Sequence, residues 1–225
     1  MQIKINQSIL DRFGNVTIGA AVFELDVFSE KLEAYCSQNQ SAMKEHYSQS
    51  AFEDIEHVKK WTAIFSAMNA KKSKESSVVF LTKYLREHDR LFHVHPVVDL
   101  YNTISVKFGL PMGAYDTKKL VGQVELRQAV KGEEFVKING KDIEKTNTDE
   151  VVYADDAGVF CRYWNDKDSE RTKITDDTRQ FLFIFDGIDD YEKIHSALME
   201  LKDTLEDAKD FRYGILDAQN PQLAL

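Results

Sequence analysis

The run Phe-Leu-Phe-Ile-Phe at residues 181–185 constrains the fold more than any other segment of the chain. Successive side chains of a β-strand point to opposite faces, so this run is apolar on both faces. A strand of that kind is stable where other elements cover each side. The run therefore predicts a central strand in a layered fold, with helices packed against a sheet.

Other segments predict the remaining elements of such a fold. Short apolar runs separated by glycines predict strands at 2–6, 16–27, 121–129, 134–138, 150–153 and 159–164. Apolar residues at helical spacing predict helices at 78–87, 96–108 and 189–210 and another that begins at Ser50, where Ser50 and Glu53 have the capping-box spacing. We expect an α+β fold with a mixed β-sheet packed with helices.

Length and composition limit the class of protein. The chain has 225 residues, enough for one sizeable core and short for two. We expect a single domain over 1–225, with a strand and helical part at 1–75, a core at 76–186 and a C-terminal helix and tail at 187–225. No apolar run reaches the roughly 18 to 20 residues of a membrane span. The two cysteines, Cys36 and Cys161, do not make a disulfide framework, so we expect a cytoplasmic protein with reduced thiols.

The charge balance argues against a protein that coats nucleic acid non-specifically. The 29 Lys and Arg residues against 38 Asp and Glu residues give a formal net charge of −9. Basic residues are nevertheless concentrated at 59–90, which predicts a local surface for phosphate groups. The alternative is a pair of helices with solvated charged faces. The candidate phosphate contacts are Lys71, Lys72, Lys74, Lys83 and Arg86.

Signatures of metals and nucleotide cofactors are weak. His93 and His95 alternate on an extended segment, but a third ligand for a catalytic zinc is not evident. The chain has neither a glycine-rich phosphate loop nor a dinucleotide fingerprint. We expect no metal and no cofactor.

A segment rich in charges and aromatic rings, residues 161–172, follows a predicted strand. Strand alternation places Phe160, Arg162 and Trp164 on one face. A cation beside a large ring suits a stacked base with a phosphate or carboxylate nearby. The alternative is that Trp164 caps the core while Arg162 pairs with Asp166 or Asp168.

A second polar cluster lies on the helix predicted to begin at Pro96. Asp99 and Asn102 share one side of that helix with Thr103 or Ser105, while Tyr101 can face the core. These polar residues either satisfy backbone groups or line a pocket beside the turn at 109–116.

Five segments occur in an order and spacing that resemble a known family. They are His-Pro-Val-Val-Asp-Leu-Tyr-Asn at 95–102, Phe-Gly-Leu-Pro-Met-Gly-Ala-Tyr-Asp at 108–116, Leu-Arg-Gln-Ala-Val-Lys-Gly-Glu at 126–133, Tyr-Ala-Asp at 153–155 and Thr-Asp-Asp-Thr at 175–178. Together they resemble the editing (B3/B4) tRNA-binding domain of the phenylalanyl-tRNA synthetase beta subunit. The segments Cys-Arg-Tyr-Trp-Asn at 161–165 and Asp-Ser-Glu-Arg-Thr at 168–172 are more similar to free-standing relatives of that domain.

The resemblance implies an α+β domain with a role near charged tRNA. In the synthetase, this domain hydrolyses the ester that links a wrong amino acid, tyrosine, to the phenylalanine tRNA. Its pocket is formed partly by an asparagine that corresponds to Asn102. A family histidine is replaced here by Gly113, and a family glutamate falls near Ile184, unless an alignment shift of a residue or two brings Asp186 to that place.

With those two family residues replaced, other groups must serve in ester hydrolysis. We predict Asn102 and Glu170 as catalytic residues, with Glu170 as the acceptor for a water. The predicted substrate contacts are Asp99, Tyr101, Asn102, Arg162, Trp164, Asn165 and Arg171. On this resemblance the basic residues named above become tRNA contacts.

Two functions remain open from the sequence. The chain is either a trans-editing hydrolase of mischarged aminoacyl-tRNA or a non-catalytic module that has lost hydrolysis. As a non-catalytic module it would bind tRNA, aminoacyl-tRNA or a free amino acid.

Overall fold

The computed structural model describes residues 1–28, 30–71 and 73–225. The helices are α1 (Gln7–Phe13), α2 (Glu30–Ser48), α3 (Glu56–Ala67), α4 (Ser77–His88), α5 (Pro96–Phe108) and α6 (Tyr191–Thr204). The strands are β1 (Gln2–Ile5), β2 (Val16–Glu24), β3 (Met112–Asp116), β4 (Gln123–Gln128), β5 (Glu134–Phe135), β6 (Glu144–Lys145), β7 (Val151–Asp155), β8 (Gly158–Arg162), β9 (Lys167–Asp168), β10 (Gln180–Ile188), β11 (Lys209–Leu216) and β12 (Gln222–Ala224).

Strand β10 lies inside a four-stranded antiparallel sheet of order β11-β2-β10-β3. Phe181, Phe183 and Phe185 point to one face, where they pack with apolar residues of α5 and α6. Leu182 and Ile184 point to the other face and join a second core. The prediction of a central strand covered on both sides is therefore confirmed.

A second, six-stranded sheet covers that other face. Its order is β12-β1-β4-β7-β8-β9, and β1 and β4 pair in parallel while the other pairs are antiparallel. Side chains of both sheets meet with α3 and α4 in one apolar core, which includes Trp61, Tyr153, Phe160 and Trp164. The predicted α+β architecture with mixed pairing is confirmed.

Helix α5 forms where its local signals predict it. Pro96 occupies the first turn, and the side chain of His95 accepts a hydrogen bond from the backbone N–H of Val97 at 3.2 Å. The helix ends at Gly109, whose φ of 64° lies in the left-handed region. A Cβ at this position would lie 2.7 Å from Nδ1 of His57, so a close approach also favours glycine here.

Other boundaries differ from the sequence prediction. The capping box at Ser50 does not form, because a 3-10 turn at Phe52–Asp54 and an extended Ile55 precede α3, and Ile55 is the N-cap. The segment at 109–116, predicted as a turn, contains β3, and the helix predicted to Asp210 ends at Thr204 before β11. Both missed strands are specified by pairing with distant strands, β10 for β3 and β2 for β11.

Among the helices of the described residues, none combines the length and apolar character that a membrane crossing requires.

Candidate functional site

A cavity of about 700 Å³ opens where α4, α5, β3 and the end of β10 meet the segment around β9. We refer to it as the site cavity. One part of its wall is apolar and includes Phe80, Leu81, Phe92, Val98 and Met112. The facing part is polar and includes Asn102, Asn165, Asp166, Asp168 and Asp186.

Asp186 is the most perturbed carboxyl group of the site cavity. It is 2% exposed and follows the apolar run of β10. Its Oδ1 accepts hydrogen bonds from Tyr153 Oη at 2.5 Å and Trp164 Nε1 at 3.0 Å, and its Oδ2 accepts one from Asn165 Nδ2 at 3.3 Å. Burial raises the pKa of this carboxyl to about 7, although the three donors act in the opposite direction.

A second carboxyl group, Asp168, pairs with a tyrosine. Tyr115 Oη donates a hydrogen bond to Asp168 Oδ1 at 2.9 Å. Burial raises the pKa of Asp168 above its usual value, and it raises the pKa of Tyr115 well above 10.0. Both residues line the site cavity, so their hydrogen bond forms part of its polar wall.

The Tyr115 phenol also fills the space beside Gly113. A Cβ at position 113 would lie 2.6 Å from Tyr115 Oη and 3.1 Å from Cζ, closer than side chains pack. A histidine at this position therefore requires the phenol to move. The tyrosine and its carboxylate partner occupy the place that the family resemblance assigns to a histidine.

Among the described residues that line the site cavity, acidic side chains outnumber basic ones. Five carboxyl groups line it, and the one lysine among these residues, Lys173, forms an ion pair with Glu170. A further lysine, Lys74, pairs with Asp166 at 2.9 Å. The lining carboxylates are Glu75, Asp166, Asp168, Asp176 and Asp186. The cavity therefore favours a cationic group in its occupant.

Three of the predicted site residues come together in the site cavity. Tyr101 and Asn102 reach it from α5, and Asn165 reaches it from the loop after β8. Within the part of the chain that the structure describes, the buried Oδ1 of Asn165 has no hydrogen-bond partner. An acceptor of that kind is available to a ligand that carries an N–H or O–H group.

Arg162 does not line the site cavity, which corrects its prediction as a substrate contact there. It is 3% exposed, and its guanidinium donates to both carboxylate oxygens of Glu150, at 2.8 and 2.6 Å. Glu144 accepts a further hydrogen bond at 2.9 Å. The guanidinium is therefore used in a buried ion pair, although its partners are not Asp166 or Asp168.

Trp164 is also not a stacking surface. Strand β8 ends at Arg162, and Tyr163 and Trp164 have φ values of 51° and 68°, so the alternation assumed from the sequence stops there. The indole is fully buried and packs edge-on against Phe13 and Trp61. Its contribution to the site cavity is the hydrogen bond to Asp186.

The structure places the three remaining predicted residues outside the site cavity. Asp99 binds the His93 side chain and the backbone N–H of Val94. Glu170 accepts a hydrogen bond from the backbone N–H of Asn139 at 2.8 Å and pairs with Lys173, and Arg171 pairs with Asp155 at 2.7 Å. Their polar groups are used within the fold, which corrects Glu170 as the water acceptor.

The predicted basic surface is smaller than the sequence indicates. Lys71 and Lys83 are exposed, whereas Lys74 is held by Asp166 over the ring of Tyr163. Arg86 is half-buried and donates to the backbone oxygen of Ser50 at 2.9 Å. Lys72 lies outside the described residues.

Two features of the site escaped the residue-by-residue prediction. Asp186 was considered only as the result of a shifted alignment. A carboxylate directly after a run that is apolar on both faces is, however, itself a signal of a group with a shifted pKa. Tyr115 had no such signal, because its role depends on β3 forming beside β10.

Comparisons with known proteins show which family this chain belongs to. The family model described as the B3/4 domain matches residues 60–218. The chain belongs to the B3/4 domain family. Phenylalanine–tRNA ligase beta subunits are similar to shorter stretches: 41% identical over 59 residues (26% of this chain) in Wolbachia sp. subsp. Brugia malayi, and 37% over 89 residues (40% of this chain) in Tropheryma whipplei.

The chain matches less than a tenth of the length of those two relatives, 7% and 9%. A solved N-terminal fragment of the phenylalanyl-tRNA synthetase beta subunit from Pyrococcus horikoshii has a similar structure, with a TM-score of 0.53 over 96% of this chain and 53% of that chain. Because the sequence identity is 14%, this likeness supports the fold and no more.

Proposed function

We propose that the chain binds the aminoacylated 3′ end of a tRNA in the site cavity and hydrolyses the ester. The observation that carries the proposal is the Asp186 carboxyl, buried in the cavity wall with a pKa of about 7. A base with a pKa near the working pH is best suited to accept a proton from water. The similarity to phenylalanine–tRNA ligase beta subunits supports tRNA as the choice of substrate.

The negative charge of the cavity favours an aminoacyl ester over a free amino acid. An α-amino group has a pKa of about 8, so it is largely protonated at neutral pH. In the ester the carboxylate of the amino acid is masked, and a single positive charge faces the lining carboxylates. A free amino acid adds a carboxylate, which the acidic wall repels.

The residues of the cavity can be assigned steps in hydrolysis. Asp186 accepts a proton from a water whose oxygen attacks the ester carbonyl, and the Asn102 carboxamide donates to the oxygen that becomes negative. The carbon–oxygen bond to the ribose then breaks, and the ribose oxygen receives the proton. The apolar wall at Phe80, Phe92 and Met112 receives the side chain of the amino acid.

The test is a deacylation panel with purified protein and tRNAs charged with labelled amino acids. Asp186→Asn keeps the size of the side chain and removes the base, and it should slow hydrolysis by about 100-fold or more. Asp203→Asn, an exposed carboxylate on α6, is the matched control and should leave the rate unchanged. If the unmodified chain hydrolyses no ester of the panel faster than the spontaneous rate, the proposed enzymatic activity is refuted.

A second candidate is a non-catalytic module that binds the same end of the tRNA. It is favoured by Gly113, which replaces the family histidine, and by the three hydrogen bonds that hold Asp186. In that case the unmodified chain binds aminoacyl-tRNA and protects the ester, so that the ester lifetime increases with protein concentration.

A further inference from the structure

Four aromatic rings form a continuous row beside the mouth of the site cavity. Phe80, Tyr84 and His88 follow one another at four-residue spacing on α4, and Phe92 lies beside them. The Tyr84 and His88 rings are stacked, with centroids 4.0 Å apart, and Phe92 meets Tyr84 at 5.1 Å and Phe80 at 6.2 Å. We call these four residues the aromatic row.

The aromatic row connects the cavity with the surface. Phe80 and Phe92 belong to the cavity wall, and Phe80 is still 43% exposed. Tyr84 is half-buried, and His88 is exposed at the far end of α4. The apolar residues that anchor α4 point the other way, into the core. Phe80 and His88 are therefore exposed, and Tyr84 and Phe92 between them are partly buried, although α4 already has a buried face.

Exposed charges of both signs lie beside the aromatic row. Lys83 and Arg90 are exposed near Tyr84 and His88 in the sequence, and so is Glu87. The nearby carboxylate of Asp89 is paired with Lys44 at 2.9 Å, which reduces its effect. Rings interleaved with cations are the arrangement that binds single-stranded nucleic acid, because bases stack on the rings while the cations meet the phosphates.

We propose that the aromatic row binds the last unpaired nucleotides of an RNA whose 3′ terminus enters the site cavity. Eight residues of helix separate Phe80 from His88, a rise of about 12 Å. Stacked nucleotides of one strand are about 3.4 Å apart, so the row has the length of about three nucleotides. The inference rests on the proposed function for the choice of RNA and adds the surface that holds the RNA end.

Binding of a labelled RNA minihelix with an unpaired 3′ end tests the row directly, and a blunt minihelix is the probe control. Tyr84 lies outside the cavity wall, so Tyr84→Ala should weaken binding of the minihelix by about 5- to 150-fold, the range for the loss of one stacked base. Tyr84→Phe keeps the ring and should bind like the unmodified chain. Tyr191→Ala removes a 47% exposed ring from α6 and is the matched control variant.

His88→Ala provides a second variant, because His88 is exposed and its removal leaves the core intact. It should also weaken binding of the minihelix. Equal affinity of the unmodified chain for the blunt and unpaired minihelices would overturn the proposal. Wild-type affinity in both alanine variants would overturn it as well.

A small substrate separates this inference from the proposed function. Aminoacyl-adenosine lacks the preceding nucleotides that the row is proposed to bind, so the unmodified chain and Tyr84→Ala should hydrolyse it at the same rate. If neither hydrolyses it, the enzymatic proposal fails, while the minihelix affinities still decide the aromatic row. If Tyr84→Ala also loses activity on aminoacyl-adenosine, then Tyr84 affects the site cavity itself, and the proposal that the aromatic row binds RNA is refuted.

Discussion

Replacing Arg162 with methionine should destabilise the fold. The guanidinium is 3% exposed and is bound to Glu150, which is 2% exposed. Its removal leaves a buried carboxylate without its ion-pair partner, which costs about 3–5 kcal/mol. For a chain of this size each kcal/mol corresponds to about 2–4 °C, so the melting temperature should fall by about 6–20 °C.

Urea and thermal unfolding of Arg162→Met measure this loss. Lys31→Met is the matched control, because Lys31 pairs with Glu206 on the surface and its side chain is 57% exposed. It should change the free energy of unfolding by less than about 0.5 kcal/mol. Glu150→Gln in the Arg162→Met background should recover part of the loss, since it removes the unpaired charge.

The result that would refute this reasoning is specific. If Arg162→Met unfolds at the same urea concentration as Lys31→Met and yet loses binding of aminoacyl-tRNA, then Arg162 contacts the ligand and its buried pairing with Glu150 is not the dominant interaction.

Two further predictions concern the site cavity. Asp186 has a pKa of about 7 in the fold against 3.8 for a free carboxyl, so the folded state binds more protons and stability should fall as pH rises from about 4 to about 7. Asp186→Asn should remove this part of the pH dependence in urea titrations, and an unchanged slope would contradict the raised pKa. Gly113→Ala places a Cβ 2.6 Å from Tyr115 Oη and should cost about 1–3 kcal/mol. Tyr115→Phe should relieve much of that cost in a double-mutant cycle of melting temperatures, whereas strict additivity would show that the two positions do not clash.

The parts of the fold that the sequence predicts carry their signals locally. The run 181–185 needs only strand alternation to be assigned as central, and α5 has Pro96 at its start and Gly109 at its end. Strand β3 has no comparable signal, because it contains Gly113 and becomes a strand by pairing with β10. Strand β11 likewise depends on β2, which lies far away in the sequence.

The residues of the site also divide into those with a local sequence signal and those without one. Asn102 reaches the cavity because its position on α5 follows from helical periodicity. Arg162 and Trp164 were assigned from strand alternation, which fails where the backbone turns to positive φ at Tyr163. A turn of that kind at non-glycine residues is imposed by surrounding packing, so local sequence patterns do not reveal it.

The register of β10 has a consequence for how this protein tolerates change. Asp186 shares the face of Leu182 and Ile184, whereas Phe185 points toward α6. Inserting or deleting one residue of β10 before Phe185 would exchange the faces to which Phe185 and Asp186 point. The carboxylate would then be buried among phenylalanines, and a phenyl ring would face the site cavity. Changes in the length of the loops at either end of β10 should therefore be tolerated far better than changes in the length of β10 itself.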